Sequence, residues 1–94
     1  MHPVVQKHRN ELKALASRYG LRNVYVFGSM ARGDADMNSD VDLLVDVPPG
    51  TSAFVLGAML MDAQDLLGRR VDIVTRSALN PALRERVLGE AEPL

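Results

Sequence analysis

No cysteine occurs among the 94 residues. That excludes a disulfide frame, a thiol nucleophile and a thiolate zinc site. An excess of one charge is also lacking: 11 Lys and Arg stand against 12 Asp and Glu, for a net charge of −1. This balance sets up no field for steering onto nucleic acid, and no direct nucleic-acid contact is expected. The basic residues are dispersed. Only Arg69-Arg70 and Arg84/Arg86 lie close together, and solvated faces explain them equally well. The longest apolar run, Ala53–Met61, falls short of the roughly 20 residues that span a bilayer. The opening MHPVVQKHRNELK has no apolar h-region. A cytoplasmic protein with no membrane partner is expected. Repeats, linkers and low-complexity segments are absent too. What remains, at 47% apolar and 24% charged residues, has the composition of a soluble globular domain spanning 1–94. A domain this small buries only about 60–65% of its unfolded surface, so modest stability is expected.

Hydrophobic periodicity places the elements. Val5, Leu12, Leu15, Ala16 and Tyr19 repeat at helical spacing, with Pro3 at a first-turn position and Gly20 at the far cap. The pattern predicts one helix over about 3–19. Asn23–Phe27 is a short β-branched and aromatic strand. Gly28–Asn38 is turn-rich, with Ser29–Arg32 able to form one helical turn. Asp40–Val47 alternates as a second strand and stops at Pro48-Pro49-Gly50. Thr51 or Ser52 caps a helix running to about Leu67, with Gly68 behind it. Val71–Thr75 is a third strand. Asn80-Pro81 opens a last helix with Leu83, Val87, Leu88 and Ala91 on its buried face. Met59 and Met61 read as packing residues, and Asp46, Asp62 and Asp65 as solvated ones. His2 and His8 have no partners at ligand spacing and read as surface residues. The order α-β-(turn)-β-α-β-α gives an α+β or α/β domain with a small mixed sheet flanked by helices.

The chemistry concentrates in Val24–Asp46, VYVFGSMARGDADMNSDVDLLVD. An apolar strand ends at Gly28-Ser29, where a glycine lets the backbone approach a phosphate. Asp40 and Asp42 then bracket Val41. Carboxylates at i and i+2 on a strand share a face, roughly 6.6–6.8 Å apart. If the third strand neighbours the second, Asp72 joins them. Magnesium takes oxygen ligands from one or two carboxylates plus substrate phosphates, and a third carboxylate permits two ions about 3.5–4 Å apart. Gly28 and Ser29 would then meet a triphosphate, and Asp72 is the best placed group to take the proton of an attacking hydroxyl. Each part alone is bland: a Gly-Ser pair is more often a turn, and a D-x-D pair is more often solvated. The combination, with an apolar strand before each, carries the reading. Two roles stand open for Arg32: binding phosphate, or bracing the loop through Asp34 or a strand carboxylate. Ser39 reads as a turn or cap hydroxyl.

At Gly28-Ser29-Met30-Ala31-Arg32-Gly33 followed by Ser39-Asp40-Val41-Asp42-Leu43, the chain resembles the DNA polymerase β-like nucleotidyltransferase superfamily. The form is similar to its smallest branch, the minimal nucleotidyltransferases. Val71-Asp72-Ile73-Val74 resembles the third-carboxylate strand, and Arg86–Ala91 the C-terminal helix. The resemblance implies the polymerase β-like fold, with ATP as substrate and Mg²⁺, two ions, as cofactor. It implies Asp40, Asp42 and Asp72 as catalytic metal ligands, and Gly28 and Ser29 on the triphosphate, with Arg32 kept as a further candidate for binding the nucleotide. Proteins of this branch typically form the antitoxin half of a type VII-like toxin–antitoxin module. Their partner is a helical HEPN-domain ribonuclease toxin, inactivated by adenylylation of a tyrosine, and a hetero-oligomer with that toxin is implied. Larger superfamily members use a second domain to hold the acceptor or the base. A nucleotide pocket needs walls that bury most of its ligand, so here the acceptor side is expected from another chain. A nucleotidyltransferase subunit acting on a small-molecule acceptor and a non-catalytic toxin-masking module are the alternatives.

Overall fold

The computed structural model describes residues 1–94. The elements are α1 (Pro3–Lys7), α2 (Arg9–Arg18), β1 (Arg22–Phe27), α3 (Ser29–Arg32), β2 (Val41–Asp46), α4 (Ala53–Leu67), β3 (Val71–Thr75), α5 (Pro81–Glu90) and β4 (Glu92–Pro93), with a 3₁₀ turn at Arg76–Ala78. They build a mixed α+β fold on one four-stranded sheet of order β3-β2-β1-β4. β1 runs antiparallel to β2 and β4, while β2 and β3 are parallel. A parallel pair needs a crossover, and α4 supplies it. No helix is long and apolar enough to cross a membrane.

Two-residue alternation sorts the strands into two faces. Val24 and Val26 of β1, Val41, Leu43 and Val45 of β2, and Val71 of β3 are buried on one face. Val5, Leu12, Leu15 and Ala16 from α1 and α2, Met30 from α3, and Met59, Ala63 and Leu67 from α4 join them in a single core. The alternate positions form the second face. There Tyr25 pairs with Leu44, and Leu44 with Val74; one row away, Phe27 pairs with Asp42, and Asp42 with Asp72. As the central strand, β2 is closed on both sides, and Leu44 on its second face is also fully buried.

The expected helix over 3–19 is broken at His8, which has φ −105° and ψ 16°. The His8 imidazole Nδ1 donates to the Val4 carbonyl at 2.9 Å. That is the carbonyl a regular helix would offer to the His8 amide, which turns to Val5 at 3.2 Å instead. His2 caps α1, accepting the Val4 N–H at 3.1 Å through Nδ1. Both histidines are therefore half-buried local caps and not plain surface residues. α4 begins and ends as expected, with the Ser52 hydroxyl accepting the Phe54 N–H at 3.1 Å and Gly68 left-handed at φ +67°.

Several packing expectations fail. Met59 is fully buried, but Met61 is 61% exposed, because two residues advance the chain about 200° round a helix. On α5 only Val87 is buried, while Leu83 and Leu88 face solvent. Ala91 already lies past the helix end. α5 is held at its ends: Asn80 accepts the Leu83 N–H at 2.9 Å, and β4 pairs with β1 at Tyr25 and Val26. Asp46 and Asp62 are not free in solvent. Asp46 pairs with Arg76 at 2.7 Å and Asn23 at 3.1 Å, and its carboxyl is held low first by Arg76. Asp62 accepts the Tyr19 hydroxyl.

The two methionines of α4 test this packing. Met59→Ala is expected to cost about 2–5 kcal/mol by urea denaturation. Met61→Ala is expected to stay within about 0.5 kcal/mol of the parent. Equal losses would mean that the buried face of α4 is misassigned.

Candidate active site

β1 delivers the chain to Gly28, which adopts φ +70° and ψ −150°. This region of backbone space is open essentially to glycine alone. A Cβ at Gly28 would lie 2.5 Å from Asp42 Oδ2, inside any real contact. Glycine is thus required twice, by the turn and by a carboxylate pressed against it. The amides of Ala31 and Arg32 return to the Gly28 carbonyl at 3.1 and 3.0 Å, closing α3, and left-handed Gly33 ends it. Met30 and Ala31 anchor that turn in the core, leaving Ser29 half-buried and Arg32 exposed.

The loop before β2 is built from its own side chains. Asp36 accepts the Asn38 N–H at 2.8 Å and the Ser39 hydroxyl at 3.2 Å. The Asn38 bond is the main reason its carboxyl sits below the usual range. Ser39 also accepts the Asp36 N–H at 2.9 Å, so it is the turn hydroxyl expected. Arg69 reaches the carbonyls of Asp36 and Ser39 at 3.3 and 3.4 Å. These bonds brace the loop that ends at Asp40.

The parallel register sets Asp42 directly beside Asp72, with Phe27 on its other side. Asp42 is half-buried; Asp40 and Asp72 are exposed. Burial pushes the Asp42 carboxyl above the ordinary range, and the charges of Asp72, Asp40 and Glu90 push it further, against Arg32. The three predicted carboxylates thus share one electrostatic field. They are not gathered around a single point, however: no three acidic or imidazole groups stand in metal-ligating arrangement. The expected convergence is therefore partial: Asp42 and Asp72 are register neighbours, while Asp40 lies just before β2. The donors are all carboxylate oxygens, the chemistry that suits a hard divalent cation. None of the cavities is lined by Asp40, Asp42 or Asp72. The largest, about 360 Å³ between Asp46, Val47, Arg76, Ser77 and Arg84, opens at the other end of β2.

Arg32 braces the loop. Its guanidinium pairs with Glu90 at 3.0 Å and Asp34 at 3.2 Å, and these carboxylates, Glu90 first, hold its charge more firmly than usual. The other Glu90 oxygen accepts the Gly28 N–H at 3.3 Å. Glu90 therefore belongs to the site, and sequence reasoning missed it. A lone glutamate late in a helix has no spacing signature, although the resemblance already covered its segment.

Residues 5–93 match the nucleotidyltransferase domain family, and the chain belongs to it. The protein adenylyltransferase MntA of Thermococcus cleftensis is 39% identical over 89 residues, covering 93% of this chain and 85% of that protein. A solved candidate minimal nucleotidyltransferase superposes with a TM-score of 0.89 at 42% identity, covering 100% of this chain and 97% of that one. Two more distant structures share the fold. One is a toxin–antitoxin complex with AMP-PNP (TM-score 0.79, 22% identity, 89% of this chain and 69% of that one). The other is the MNT antitoxin with the tri-AMPylated HEPN toxin of Shewanella oneidensis (TM-score 0.73, 19% identity, 94% and 69%).

Two outcomes follow for the ligand-free protein. Gly28→Ala is expected to cost on the order of 1–3 kcal/mol in chemical denaturation, from backbone strain and the clash at Asp42; a neutral result would mean that the turn relaxes freely. Asp42 tests the charge crowding. Its folded-state carboxyl is raised, so the folded state takes a proton there more readily than the unfolded chain does. The matching stability is present at low pH and lost as pH rises through the folded-state value. Asp42→Asn is therefore expected to melt above the parent at about pH 7.5, with the gap closing toward about pH 4. A variant melting below the parent at both would place Asp42 among the structural carboxylates.

Proposed function

We propose that this nucleotidyltransferase moves AMP from ATP to a protein hydroxyl, a tyrosine of a HEPN-domain ribonuclease toxin, and so acts as that toxin's antitoxin. The observation that carries the reading is the Asp42–Asp72 pair, set in register beside the Gly28 turn and short of positive charge. Such a site gains from a ligand that arrives with divalent cations. Similarity to a protein adenylyltransferase supports AMP as the transferred group. The likeness to antitoxins solved with HEPN toxin and with AMP-PNP supports the partner and the nucleotide.

In this reading Asp40, Asp42 and Asp72 would hold Mg²⁺, with room in the charge balance for two ions. When bound, the metal neutralises charge on the phosphates and on the leaving pyrophosphate. The Gly28 N–H, the Ser29 hydroxyl and the Arg32 guanidinium orient the triphosphate. The toxin's hydroxyl oxygen attacks the α-phosphorus in line. An O–P bond forms, the bond to the β-phosphate bridging oxygen breaks, and pyrophosphate leaves. Asp72, the more exposed of the register pair, takes the hydroxyl proton. Orientation and charge placement supply the rate; no covalent intermediate on the chain is needed.

Asp42→Asn keeps the shape of the side chain and removes its charge. With labelled ATP, Mg²⁺ and the partner toxin, its transfer rate is expected to fall at least about a hundredfold, with unchanged circular dichroism. Parent-like labelling by the variant would overturn the catalytic reading.

A further inference from the structure

In this fold an anion sits on the Gly28–Arg32 turn, and the chain itself provides it. One Glu90 carboxylate oxygen accepts the Gly28 N–H at 3.3 Å, and the other meets Arg32 at 3.0 Å. A backbone amide and a guanidinium are the donors that would also receive a phosphate. Glu90 comes from the last residue of α5, far along the chain. The β4 pairing at Tyr25 and Val26, just beyond it, ties this end of the chain to β1.

The placement runs against the local field. Asp40 and Asp72 already crowd Asp42, and the Glu90 charge adds to that repulsion. Arg32 is the cation paired with Glu90, and it also serves Asp34. An extra carboxylate here strengthens neither the apolar core nor the carboxylate pair. It does satisfy the N–H of buried Gly28 and one edge of the exposed Arg32 guanidinium. The contact is a weak one: the hydrogen bond from the Gly28 N–H is long at 3.3 Å, and both charged side chains reach solvent.

We infer that Glu90 is a built-in competitor for nucleotide phosphate, and that triphosphate binds only as the Glu90 carboxylate leaves Gly28 and Arg32. The inference rests on the nucleotide reading above. One N–H and one guanidinium edge do not serve two anions at once, so binding carries the cost of the displaced pair. The same carboxylate discriminates among ligands. An anion arriving without cations meets five acidic side chains, Asp34, Asp40, Asp42, Asp72 and Glu90, with Arg32 as the answering cation. One arriving with divalent cations screens the carboxylates it passes.

Calorimetry on the full chain, without any acceptor protein, tests this. Glu90→Gln is expected to bind Mg²⁺–ATP about three- to tenfold tighter than the parent. Tripolyphosphate without divalent cation is expected to show the larger gain, since it must displace Glu90 unaided. Glu90→Asp, one methylene shorter, keeps the charge but withdraws the carboxylate; it is expected to fall between the two, and it serves if Glu90→Gln does not fold. Parent-like or weaker binding by these variants, while the parent itself binds Mg²⁺–ATP, would make Glu90 a support of the turn and overturn the inference alone. Failure of the parent and the variants alike to bind nucleotide would overturn the proposed function as well.

Discussion

Strand β2 must satisfy two demands at once. It lies between β1 and β3, and every second residue, Val41, Leu43 and Val45, is fully buried against the helices. The period-2 geometry then turns Asp42 and Asp46 to the other face. A slip of one residue would drive those aspartates into the core and expose the valines. The register that closes the core is therefore the register that sets Asp42 beside Asp72 and Phe27. Core and candidate site are two readings of one strand alignment. The candidate site is thus carried by an interior strand of the sheet, and a strand places side chains more precisely than a loop does.

The second constraint acts against stability. Gly28 and Asp42 are in close approach, and Asp42 is half-buried among other carboxylates. Burial alone already favours its neutral form, and its neighbours add to that. A carboxylate cluster with too few cations is a poor choice for a fold that only has to be stable. It is reasonable in a site completed by a ligand, because binding to the folded state returns the lost stability by mass action. The contrast with Asp46 is instructive. It stands on the same face of the same strand, yet it has Arg76 and Asn23 as partners and sits below the usual carboxylate range. Partner supply, not position on the sheet, separates a structural aspartate from a candidate functional one.

These differences track what a linear pattern encodes. The three main strands, α4 with its caps and the Gly28–Arg32 turn follow from alternation, helical spacing and glycine placement, and all of these are local. The break at His8 also arises locally, but from an imidazole competing for a carbonyl, which periodicity of apolar residues does not register. The exposure of Leu83 and Leu88 escaped because helical spacing reports a face without saying what covers it. β4, only two residues long, is too short to show a period. In the site, Gly28, Arg32, Asp42 and Asp72 were legible as residues, and their Cα register follows once β2 and β3 pair. Glu90 was not, since its contact with Gly28 joins positions 62 apart in the chain. The incomplete gathering of the carboxylates was not legible either. Spacing says which groups share a face, not whether their oxygens meet at one point.

The charges around Gly28 now form a consistent set. Asp40, Asp42, Asp72 and Glu90 bear on one small region, and Arg32 is the cation that answers them. A ligand that brings only negative charge is opposed by the aspartates and must also break the Arg32–Glu90 pair. A ligand that brings only cations relieves the aspartates but leaves the turn occupied. Under the proposed function, a polyphosphate carrying divalent metal would do both: its cations would meet the carboxylates of β2 and β3, and its oxygens would take the Gly28 and Arg32 donors. The two halves of the site are individually unfavourable to fill and favourable to fill together. This is the condition under which metal and nucleotide binding become thermodynamically coupled. Coupling of that kind would need no moving domain. It would follow from one observed placement, a glutamate at the end of α5 within reach of a turn built 62 residues earlier.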